Sequence, residues 1–98
     1  MNFDAKALRD QIVKLLDDVG LIASCKVDVA DSGKYETQRG SFIVHARDAV
    51  LGVTVWEFGV VEIQPVLHSG DQMEAVTLEN GSIELAASQV VALVRQHT

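Results

Sequence analysis

The sequence predicts an α+β domain: an N-terminal helix, an antiparallel meander of four or five strands, and a C-terminal helix, with the helices on one face of the sheet. Three observations lead there. Apolar residues recur at helical spacing near both ends of the chain, the period falls to two between them, and the glycines fall as turns and bends of a meander. Ninety-eight residues that are 48% hydrophobic suit one domain spanning 1–98 with one core.

Leu8, Ile12, Leu15, Leu16 and Val19 form one helical stripe, while Lys6, Arg9, Asp10, Lys14 and Asp17 face away. Asn2 or Asp4 suits the N-cap, and Gly20 suits a left-handed stop. Beyond Gly20, the residues Leu21, Ala23, Cys25, Val27 and Val29 alternate with their neighbours, which predicts a half-buried first strand. Asp-Ser-Gly-Lys at 31–34 reads as a turn. A second strand then runs from Tyr35 or Glu36 to about Arg47, with Phe42, Val44 and Ala46 on one face and a bulge at Gly40.

The third strand is expected from about Val50 to Gln64. Leu51, Val53, Val55, Val61 and Ile63 share one parity, whereas Trp56, Phe58 and Val60 hold the other, so both faces read as apolar. Such a strand is either central in a covered sheet or bears a patch that a second subunit hides. Pro65 should end it or place it at an edge. Met73 to Leu78 reads as a fourth strand. Asn80-Gly81 suits a hairpin turn, with Ile83 and Leu85 as a short fifth strand, and Ser88 then caps a last helix bearing Val90, Val91, Leu93 and Val94.

Charge is unevenly placed. Eight Lys+Arg face fourteen Asp+Glu, a net charge of −6, and no Lys or Arg occurs between Arg47 and Arg95. That leaves no basic footprint for nucleic acid, and an anionic membrane would repel the chain. One cysteine excludes an intrachain disulfide, and a start without an apolar leader points to the cytoplasm.

Motifs for catalysis, metals or nucleotides are absent from the sequence, so no cofactor is expected. Cys25 reads as a core residue, and His45, His68 and His97 lack ligand spacing and read as surface residues, with Glu57 or Glu62 as the imagined neighbours of His45. The expected function is non-enzymatic: a small acidic homodimer that binds a protein partner through an acidic and aromatic sheet face, a basic protein being the class such a face suits. Its binding candidates are Trp56, Phe58, Val60, Glu57, Glu62, Glu74 and His45. In size, acidity and lack of catalytic motifs it is similar in character to accessory proteins of phages and other mobile elements. The alternative is a small-ligand sensor or carrier, with Trp56, Phe58, Tyr35 and Phe42 around an apolar pocket between sheet and helices.

Overall fold

A computed structural model describes residues 3–31, 36–79 and 81–97. Helix α1 spans Ala5–Asp18 and buries Ala5, Leu8, Ile12 and Leu16. Asp4 is its cap, its side chain accepting from Ala7 N at 2.8 Å. Its end is a Schellman turn: Gly20 adopts φ 78, Gly20 N–H donates to Asp17 O at 3.1 Å, and Leu21 N–H to Leu16 O at 2.8 Å.

The predicted first strand is mostly not a strand. Ile22–Ser24 form a 3-10 turn, and only β1, Lys26–Val27, pairs with β2, Gln38–His45. Alternation built on alanine and cysteine offers little burial to reward pairing, and Val29 is 80% exposed. The Arg9 guanidinium ties this segment to α1, donating to Asp28 O at 2.9 Å and Val27 O at 3.2 Å. Residues 32–35, which hold most of the expected turn and Tyr35, lie outside the described residues.

The predicted third strand is two strands. β3, Ala49–Trp56, and β4, Val61–Leu67, form a hairpin around the 3-10 turn Glu57–Gly59. Both bury their odd positions, Ala49, Leu51, Val53 and Val55 on β3 and Val61, Ile63 and Pro65 on β4. A single helix-covered face therefore collects the apolar residues, and the doubly apolar strand disappears. Pro65 sits inside β4 because its missing N–H falls on the side away from β3; its carbonyl, on that same side, accepts from Met73 N at 3.1 Å.

The fourth predicted strand shortens to β5, Val76–Leu78, completing a sheet of order β1-β2-β3-β4-β5 with every pair antiparallel. The predicted fifth strand is the start of helix α2, Ile83–Gln96. Ser82, not Ser88, caps it, accepting from Leu85 N at 3.1 Å. Ala86, Ala87, Val90, Val91 and Val94 are its buried stripe. Asn80 lies outside the described residues, and Gly81 leads into the cap instead of a hairpin.

One apolar cluster joins both helices to Phe42, Val44, Ala46, Leu51, Val53, Val55, Val61 and Ile63. The helices run side by side in the same direction. A Cβ built on Gly59 would lie 3.5 Å from Gly81 O and 3.9 Å from the Phe3 ring, so both helices begin beside the β3–β4 turn. Further along, Leu15 and Val19 share a groove with Val91 and Arg95.

Candidate functional site

The expected binding residues divide between two places. Trp56, Glu57, Phe58 and Val60 gather at the β3–β4 turn, closed by Trp56 N–H donating to Val60 O at 2.8 Å. Glu57 N–H donates to Thr37 O at 2.8 Å, which binds the turn to the start of β2. Phe58 is not on a sheet face. It stands at the tip, 84% exposed, with φ 63 and ψ 23. Left-handed backbone costs a residue with a Cβ about 1–2 kcal/mol, and glycine or asparagine is the usual occupant. A buried ring could offset that cost by its packing, but this ring is in water.

The second place is the outer face of the sheet, opposite the helices. Its rows follow from the register: Ser41, Thr54, Glu62 and Thr77; Ile43, Gly52 and Gln64; Lys26, His45, Val50 and Val66. Trp56 ends this face opposite Gln38 and is half-buried. Glu62 projects from it, exposed. Glu74 does not join either group; it is exposed in the loop between β4 and β5.

His45 reaches neither Glu57 nor Glu62 in a hydrogen bond or ion pair. Its Nε2 lies 3.1 Å from Asp28 Oδ2, and Lys26 Nζ lies 3.8 Å from Asp28 Oδ1. Asp28 N–H donates to Ile43 O at 2.9 Å, which sets the carboxylate beside β2. Sequence reasoning missed this partner because Asp28 was placed within a longer strand. The hydrogen bond with His45 holds the Asp28 carboxyl below its usual range; partial burial opposes this, and the charges of His45 and Lys26 add to it.

A carboxyl whose folded pKa is depressed adds stability above its unfolded pKa and loses it as pH falls through the folded value. The Asp28 contribution is therefore present above about pH 4 and fades below it. Asp28→Asn should destabilise the protein at pH 6, and the gap from wild type should close as unfolding is measured toward pH 2. A gap independent of pH would show that the charge on Asp28 is immaterial.

Cys25 is half-buried just past the 3-10 turn. Its thiol donates to Leu21 O at 3.0 Å, and burial pushes its pKa up, so it is held as a thiol rather than a nucleophilic thiolate. His97 is not a surface residue: it is 8% exposed, and its Nε2 has no hydrogen-bond partner. Asp48 N–H donates to His97 O at 2.9 Å, which explains the burial by docking the end of α2 under the β2–β3 turn. No group of three or more His, Cys, Asp or Glu among the described residues could hold a metal ion.

The aromatic residues do not line one pocket. Phe42 is buried under the helices, Trp56 is on the opposite face, and Phe58 is at the tip. A cleft of about 290 Å³ lies instead beside the start of α1, among Asp4, Lys6, Arg9, Asp10, Asp31 and Arg39, where acids and bases balance. Among the described residues no helix is long and apolar enough to cross a membrane. No family model, curated protein or solved structure matches the chain.

Proposed function

We propose that this chain is a non-enzymatic protein-interaction module that works as a homodimer, its two copies meeting across the outer sheet face. The observation that carries the reading is charge depletion. Across the central strands, along Ser41, Ile43, His45, Val50, Gly52, Thr54, Trp56, Glu62, Gln64 and Val66, Glu62 is the one carboxylate and there is no Lys or Arg, in a chain that is 22% charged; Lys26 and Asp28 stand at the β1 edge, where they pair with each other. Interface cores lose charged residues in this way, whereas a solvated sheet face keeps them.

Shape supports the same reading. Ile43 is 42% exposed and pairs directly with Gly52, above which a Cβ would find only Gln64 O, at 3.8 Å. The face thus has a knob beside a notch. A twofold axis in the plane of the interface, running between β2 and β3, would lay Ile43 of each copy over Gly52 of the other. The three long strands of seven or eight residues, with two residues of β1 and three of β5 beside them, cover on the order of 450 Å² per copy at strand spacings of about 4.8 Å, so a pair buries roughly 900 Å², the size of a weak, exchanging dimer. Cytoplasmic residence belongs to the same proposal.

Sedimentation at micromolar concentration should find a dimer for the wild-type chain. Ile43→Asp, which presses a carboxylate from each copy against Gly52 of the other with nothing basic to pair it, should give a monomer with unchanged circular dichroism. A wild-type monomer under these conditions defeats the homodimer. A dimer that survives Ile43→Asp places its interface elsewhere.

A further inference from the structure

The outer face leaves Phe58 out, since the ring stands at the end of the molecule and not on the sheet. We infer that the β3–β4 turn is a second docking point, at which Phe58 enters an apolar socket on a different, basic protein. The inference rests on the reading of the chain as an interaction module and is independent of how its copies associate.

The ring is the most exposed of the large apolar side chains described, at 84%, and it has company. Gly59 approaches Gly81 O, Gly81 approaches the Leu85 side chain, and Leu85 is itself 51% exposed on the first turn of α2. Phe58 and Leu85 therefore flank one small contact between the turn and the helix start. An anchor of this kind, a rigid aromatic at the centre with further apolar surface beside it, is the form that binding hot spots take.

Charge selects the partner. Glu36 precedes Thr37, whose carbonyl holds the turn; Glu57 adjoins Phe58; Glu79 follows the last residue of β5, opposite the turn; and Glu84 lies one residue before Leu85. All four are exposed or half-buried. Lys6, Arg9 and Arg39 line the neighbouring cleft, where Asp4, Asp10 and Asp31 balance them. An apolar point ringed by glutamates complements an apolar socket ringed by lysine and arginine, and repels an acidic surface, including that of a second copy of this chain.

Photo-crosslinking in the native host tests this. A benzoylphenylalanine at position 58 should give one heterologous product whose linked peptide, identified by mass spectrometry, lies in a net-basic region; the same probe at Val29, 80% exposed elsewhere, should not. The identified protein, purified, should bind Phe58→Asn at least tenfold more weakly than wild type and lose affinity as salt rises. Phe58→Asn should itself melt no lower than wild type, because asparagine accepts the left-handed backbone. Crosslinks to a second copy of this chain, no heterologous product, a linked region that is not basic, or equal binding by Phe58→Asn would each overturn the inference. Sedimentation of Phe58→Asn as an unaltered dimer separates this result from that of the sheet face.

Discussion

Gly40→Ala should destabilise the protein by about 2–5 kcal/mol, a large loss for the addition of one methyl group. Two costs combine. Gly40 holds φ 110, a left-handed backbone that adds about 1–2 kcal/mol for a residue with a Cβ. The new methyl would also collide with Asp31 O and lie 2.8 Å from the Ala5 Cβ. Neither neighbour can yield easily: Asp31 O accepts from Ser41 N at 3.2 Å, and Ala5 is buried in the first turn of α1. Overpacking against fixed groups adds about 1–3 kcal/mol. The glycine exists because the register between Gln38 and Ser41 shifts there, the bulge that lets β2 pass beneath the start of α1. Urea unfolding checks the value, and a loss under about 1 kcal/mol would mean that the bulge relaxes.

Leu51→Ala should cost about 2–5 kcal/mol. Leu51 is fully buried, paired with Val44 on one side and Pro65 on the other, and belongs to the cluster that both helices cover. Total stabilities of about 5–15 kcal/mol make this a large share. Its neighbour Val50 points to the outer face and is half-buried, so Val50→Ala should cost under about 1 kcal/mol in the monomer. The contrast between adjacent residues tests the assignment of faces. Equal losses would contradict it.

The helix-sheet-helix order was legible because it is written in long periodic runs with caps. Asp4 and Gly20 bracket α1 where the pattern says they should. The β3–β4 turn was hidden for a geometric reason. Val55 pairs with Val61 around a three-residue turn, and an odd-length turn keeps inward residues on the same parity in both strands. The sequence therefore reads straight through, and Trp56, Phe58 and Val60 resemble a second apolar face. Gly59 was the local clue, since it is the one residue there suited to φ 73.

The start of α2 was obscured differently. Half of its first buried turn is alanine, Ala86 and Ala87, whose weak apolar signal lost to the Asn80-Gly81 turn signal and the alternation of Ile83 and Leu85. For the candidate site, residue types were legible and their grouping was not. Asp28 meets His45, and the β3–β4 turn meets the start of α2, only through pairings and packing that no local pattern encodes.

The shared direction of the two helices also gives the molecule a polar axis. Antiparallel neighbours would cancel their peptide dipoles, whereas these add, with about half a positive charge at each helix start and the opposite at each end. The starts lie beside the β3–β4 turn, beneath Glu57 and Glu84. Part of the carboxylate field is thereby offset at long range while the oxygens stay bare at the surface. Attraction at that end acts at contact distance more than by steering an approaching molecule from afar.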